Sequence, residues 1–277
     1  MKEARRILAK VYANRISFTK KLSQLPDLAP ERKKSIAFSL KYLKRKRAHS
    51  GKVYKQACAI LKQEPELKKL PWETKTAIKC AALLHDIGRS LNIGPNGEYD
   101  HSIRHGKQGA QLLLTGFGIA DPVILLAVSY HDSKDMSDMY ADRAWQNLPR
   151  QDRLDAAVAT KITRDADKLA NLLDIKSQKH FSKYFNRKSY EISPRIAESF
   201  AKRRTADWRD EKTLADRTFI LLAWCFDLNY GTTRKIIKDK RIVAKLVKSF
   251  LPRAGLSDST KETKALALSV LKKEGCA

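Results

Sequence analysis

The chain has 277 residues, 43% of them hydrophobic, enough to bury a sizeable core in one large domain or two small ones. Its 56 Lys and Arg against 30 Asp and Glu give a formal net charge of +26, which points to an anionic partner: a nucleotide, nucleic acid or an acidic surface. No apolar run approaches the ~20 residues of a membrane helix, and no long apolar segment follows the charged N-terminus, so neither a membrane span nor a signal peptide is expected.

Helical periodicity dominates, and strand-like alternation is hard to find. Residues 4–22 place Leu8, Val11, Tyr12, Arg15, Ile16 and Leu22 roughly on one face. Pro26 and Pro30 interrupt the pattern, and Pro30-Glu31 starts a helix carrying Ile36, Leu40 and Leu43 into the basic run Lys44–Arg47. That run reads as a solvated helix C-terminus favoured by the helix dipole, or as a grip for phosphate. His49-Ser50 follows, then a helix with Val53, Ala57, Ile60 and Leu61 that ends at Glu64-Pro65. Pro71-Trp72-Glu73 opens the next helix, which ends in His85-Asp86, with Gly88 as its terminating glycine. Residues 90–100 carry every turn signal. A short helix with Ile103, His105, Ala110 and Leu113 precedes Gly116 and Gly118. Asp121 caps a helix with Pro122 at its first position, and that helix delivers His131-Asp132. After a polar loop over 133–150, a long helix carries Leu154, Val158, Ile162, Leu169 and Leu172, with Asp165 and Asp167.

The last hundred residues also read as helical. A basic segment covers Arg187 to Arg209, an apolar helix centres on Phe219–Phe226, and the Lys-rich segment 234–250 is amphipathic. Residues 253–277 read as a loosely held final helix. Cys58, Cys80, Cys225 and Cys276 are scattered without metal-type spacing, so they are expected to be reduced and structural, as in a cytoplasmic protein.

The chemistry concentrates at His85-Asp86. Apolar Ile78, Ala81, Ala82 and Leu84 suit a buried helix, which carries an imidazole and a carboxylate into the interior. An unpartnered buried carboxylate costs on the order of several kcal/mol, and a bound cation offsets that cost most simply. Five histidines, His49, His85, His101, His105 and His131, fall between 49 and 131. Imidazole with carboxylate suits Fe, Mn, Ni, Zn or Co.

The order His49, His85-Asp86, Asp167 resembles the HD-domain superfamily of metal-dependent phosphohydrolases. The strings that carry the resemblance are His49-Ser-Gly-Lys-Val-Tyr, Ala82-Leu-Leu-His-Asp-Ile-Gly and Asp165-Ala-Asp-Lys-Leu-Ala-Asn171. It covers roughly residues 46–180 and implies an all-α bundle with metal at its centre. The chain then divides into an N-terminal helical extension over 1–45 packed on the core, a metal-binding core over 46–180 and a C-terminal helical extension over 181–277. The resemblance implies a four-ligand core of His49, His85, Asp86 and Asp167. His105 and His131 stand where members with two metals insert further histidines, and His101 is an alternative to His105. It also implies Asp86 as a bridging, catalytic ligand. Asp167 shares a small-residue face with Thr160, Thr163 and Ala170, whereas Asp165 lies near the apolar stripe, so Asp167 is taken as the ligand and Asp165 as a catalytic residue that orients a histidine.

These features lead to a hydrolase acting on a phosphate ester of a nucleotide or related small molecule through a metal-activated hydroxide. The cofactors are two divalent ions, Fe or Mn first, with Ni, Co, Zn or Mg as alternatives. Arg89, Arg104, Lys107, Lys134 and Lys168 are candidates to bind substrate phosphate. Two alternatives stay open. Some relatives with six ligands are di-iron oxygenases that cleave C–C or C–P bonds. The Lys/Arg clusters at 41–47, 202–204 and 234–248 also suit a nucleic-acid-acting phosphodiesterase or binding protein.

Overall fold

A computed structural model describes residues 1–25, 28–95, 98, 100, 104–174, 191–250 and 258–277. Pro26, His101, Ile103 and Arg187, which figure in the sequence reading, lie outside them. The described residues form thirteen α-helices and no β-strand, as the periodicity requires. No helix among them is long and apolar enough to cross a membrane. The chain divides into two compact units, Met1–Asp167 and Lys168–Ala277.

The first unit begins with α1 (Lys2–Ser23), α2 (Pro30–Gln63) and α3 (Trp72–Leu84), and α1 packs on both of the others. Then come α4 (His105–Phe117) and α5 (Pro122–Tyr130), which pack on each other, with α5 also against α3. Two single-turn helices, α6 (Ser137–Tyr140) and α7 (Arg143–Gln146), interrupt the segment read as a polar loop. Helix α8 (Arg150–Leu173) carries the chain across the boundary between units. Ile7 and Tyr12 of α1, Ile36, Leu43, Val53 and Ile60 of α2, and Ile78 and Leu84 of α3 are fully buried. Each such side chain contributes roughly 1.5–3 kcal/mol of apolar burial, which is what holds α1 to the unit.

Helix α2 corrects the sequence reading. It runs unbroken for 34 residues through the basic run and His49. The only breaker on the way is Gly51, which costs about 1 kcal/mol. Burial of Leu43, His49, Ser50 and Val53 along one face outweighs it. Lys44–Arg47 is therefore helix interior, and no dipole-favoured terminus exists there.

Gly88 is a second correction. Helix α3 already ends at Leu84, and Gly88 lies in a 3-10 turn over Ile87–Ser90. A Cβ there would stand 2.0 Å from the His105 carbonyl oxygen and 2.7 Å from the Gly109 nitrogen. The residue is glycine because α4 crosses against it. Left-handed glycines do terminate helices elsewhere: Gly118 after α4, with φ 66°, and Gly275 after the final helix, with φ 72°. On α8, Leu154 is 52% exposed, and the buried face is made instead by Ala156, Ala159, Ile162 and Ala166.

In the second unit, α9 (Pro194–Ala201) packs on α10 (Leu214–Ala223), which packs on α12 (Ile242–Phe250). Buried Asp216 accepts hydrogen bonds from the Ser193, Lys212 and Thr213 nitrogens at 2.6–3.0 Å, tying the start of α10 to the start of α9. The Lys-rich segment splits into α11 (Gly231–Asp239) and α12, with Arg241 at φ 52° between them. The final helix, α13 (Asp258–Lys273), is anchored by buried Ala267 and Leu271 rather than loosely held. All four cysteines are free, as expected, and buried Cys225 and Cys276 share a hydrogen bond between their thiols.

Candidate metal centre

Two close approaches of α4 gather the side chains. Gly88 and Gly109 bring α4 against the turn after α3. A Cβ on Gly106 would meet the Ser129 carbonyl at 2.6 Å and the Asp132 carboxylate at 2.7 Å, so α4 also lies tight on the end of α5. His105, at the start of α4, is thereby set beside both His85-Asp86 and His131-Asp132. Arg164 on α8 fixes the end of α5 from behind. Its buried guanidinium donates to the carbonyls of Tyr130, Ser133 and Lys134.

Three imidazoles are oriented in the same way. His85 Nδ1 donates to the Ala82 carbonyl at 2.9 Å, and His131 Nδ1 to the Val128 carbonyl at 2.8 Å. His105 Nδ1 lies 3.0 Å from an Asp132 carboxylate oxygen. A carbonyl can only accept, so His85 and His131 each carry a proton on Nδ1, and in the neutral ring Nε2 is the atom that offers a lone pair. The Nε2 atoms converge: His105 and His131 are 3.1 Å apart, and His105 Nε2 is 3.1 Å from Asp86 Oδ1. His85 Nε2 stands 3.5 Å from Asp86 and 3.6 Å from Asp167, and this fully buried atom has no hydrogen-bond partner. His49, from the middle of α2, places Nε2 2.7 Å from Asp167 Oδ1.

Three overlapping groups result: His49, His85 and Asp167; His85, Asp86 and His131; and His105, His131 and Asp132. Within each, the ligand atoms lie within 4.8 Å of one another. An orphaned buried nitrogen amid imidazole and carboxylate donors is what a divalent transition metal accepts. The residues present fit such an ion.

Asp86 is the most heavily held carboxylate. Lys46 Nζ donates to Oδ2 at 2.7 Å, Arg89 Nε donates to Oδ1 at 3.0 Å, and the Tyr12 hydroxyl donates to its backbone carbonyl at 2.9 Å. Burial resists its ionisation, but Lys46 and Arg89 override that and hold the carboxyl well below the usual range. Burial likewise opposes ionisation of Asp167, and the hydrogen bond with His49 together with the charge attraction of His85 holds it well below the usual range. Burial also works against charge on His85, yet Asp86 and Asp167 push it up to about 9. At His105 burial prevails, reinforced by Arg89, and pushes it down to about 4. Burial also lowers His49.

The structure thus brings together His49, His85, Asp86, His105, His131 and Asp167. Asp165, two residues before Asp167 and so about 200° round the helix, is fully buried and belongs to none of the three groups. Of the cations proposed for substrate, Arg89 is on Asp86 itself. Lys107 lies over the Tyr130 ring at 5.4 Å, Arg104 and Lys134 are exposed, and Lys168 donates to the Asp227 carboxylate at 2.5 Å within the second unit. Sequence reasoning passed over Lys46 and Asp132. Lys46 sits three residues before His49, on the same face of a continuous helix, and Asp132 repeats the His-Asp pair at a second helix end.

The HD domain family matches residues 47–172. That span holds all seven residues of the three groups. The match supports assignment to the HD superfamily of metal-dependent phosphohydrolases, whose members typically bind divalent metals. Comparison with curated proteins and with solved structures returns no match.

Proposed function

We propose that the HD region hydrolyses a phosphate ester of a nucleotide or related small molecule at a binuclear site. His49, His85 and Asp167 would hold one ion and His105 and His131 the other, with the Asp86 carboxylate available to both groups. Divalent ions, when bound, supply Lewis acidity toward a phosphoryl group and lower the pKa of water. The protein's part is orientation. Ala82, Val128 and Asp132 lock three rings with Nε2 forward, so little reorganisation is needed when ligands are called on. Lys46 and Arg89 neutralise Asp86, one at each carboxylate oxygen, and both are cations of the kind that grip phosphate. The net charge of +26 favours an anionic substrate. Iron or manganese suits this donor set.

The observation that carries the reading is the buried His85 Nε2, without a hydrogen-bond partner and facing two carboxylates. The test is elemental analysis of protein purified without added metal, followed by a nucleotide panel assayed for phosphate release under anaerobic conditions. Two metals per chain with anaerobic release is the expected result. Iron with oxygen consumption and no phosphate release would replace the hydrolase by an oxygenase.

A further inference from the structure

A cavity of about 360 Å³ in the first unit is lined by Cys58, Leu61, Lys62, Lys68, Lys75 and Lys79. None of these residues belongs to the metal centre. No acidic residue lines the cavity, and among the described residues none of the four ammonium groups is in an ion pair. Lys75 donates to the Lys68 carbonyl at 2.6 Å, which holds its charge at the rim. Beside them stands Trp72, the first residue of α3, 73% exposed. Residues 72, 75 and 79 are spaced i, i+3, i+7 and share one helix face. The indole and two ammonium groups therefore form a stripe about 10 Å long at 1.5 Å per residue, flanked by Lys62 of α2 and Lys68.

We infer that this face binds single-stranded nucleic acid, with backbone phosphates along the four lysines and a base stacked on Trp72. Lysines spread along a rim neutralise a run of phosphates; they offer no planar fork for one discrete anion. An aromatic face beside such a track is the arrangement that holds single strands without regard to sequence. A membrane surface fits less well, because an interfacial helix needs a broad apolar face and here Trp72 continues into Lys75 and Lys79.

The probe is a fluorescein-labelled twelve-residue oligo(dT), with binding to the full chain read by anisotropy across a salt series. Four phosphate contacts give a slope of log affinity against log salt of about −3, at roughly −0.7 per contact on a single strand. The exposed pair Lys62→Ala/Lys68→Ala is expected to reduce that slope by about 1.4 on the same rule. Trp72→Ala should weaken binding about tenfold, and Trp72→Phe should restore most of it by keeping an aromatic face. As a reference, Lys238→Ala/Lys245→Ala removes equal charge elsewhere and should leave the slope near the unsubstituted value. The inference is overturned if both lysine pairs act alike, if Trp72→Ala and Trp72→Phe bind equally, or if vesicles containing phosphatidylserine need these lysines while the oligonucleotide does not.

Discussion

Two His-Asp pairs end two helices of the first unit, and they do different work. His85 and His131 each follow the last residue of a helix, and each ring donates Nδ1 to the carbonyl three residues back. Locally the two ends are copies. The aspartates then diverge. Asp86 is buried, 2% exposed at its side chain, and held by Lys46 and Arg89. Asp132 is 32% exposed and turns to the Nδ1 of His105. A dipeptide at a helix end specifies the histidine's orientation; the helices packed against it decide whether the carboxylate is sealed among cations or left part-exposed beside another ring.

The comparison can be broken in order of force. Asp86→Ala should abolish metal content and phosphate release together, because it removes the carboxylate proposed to serve both halves and takes the buried acid away from half-buried Lys46 and Arg89, a loss of up to about 3–5 kcal/mol. Elemental analysis and a denaturant titration check both; turnover retained without metal would sink the assignment. Gly88→Ala should come next. Its Cβ must push the His105 carbonyl away, costing about 1–3 kcal/mol, and metal content should fall toward one ion per chain as α4 withdraws His105. Asp132→Asn should be milder, lowering metal affinity about 10–100-fold while the fold and the His85 side persist; competition with a chelator measures it. If Asp132→Asn matched Asp86→Ala, the two pairs would not differ as described.

The smallest effect concerns protons. His85 sits at about 9 in the metal-free protein against an ordinary 6.5, so at pH 7.5 it is charged, and it must lose that proton to become a ligand. His49 and His105 are lowered and already neutral there. Metal binding at pH 7.5 is therefore expected to release about one proton, falling toward none above pH 9. Affinity should rise with pH over that window. Calorimetry in two buffers of different ionisation enthalpy reads the number directly.

Much of this was visible in the residues before any coordinates. Helical class followed from periodicity, and the ligand set was what the resemblance carried by the strings around His49, His85-Asp86 and Asp167 implied. What escaped depends on contacts between helices. Lys46 looked like one more cation in Lys44–Arg47, and only a continuous α2 aims it at Asp86. Gly88 looked like a helix stop, since its true neighbour, the His105 carbonyl, is seventeen positions away. Trp72 read as part of a helix start, and its setting among Lys62, Lys68, Lys75 and Lys79 exists only once α2 and α3 are side by side.

The hydroxyl of Tyr12 on the Asp86 carbonyl has a practical corollary. The matched span starts at residue 47, yet a phenol thirty-five positions upstream satisfies the peptide group of its central carboxylate. Trimming the polypeptide to that span would strip α1 and the first half of α2 from the core and leave this oxygen to water, so the smallest piece that keeps the site intact has to begin near the N-terminus.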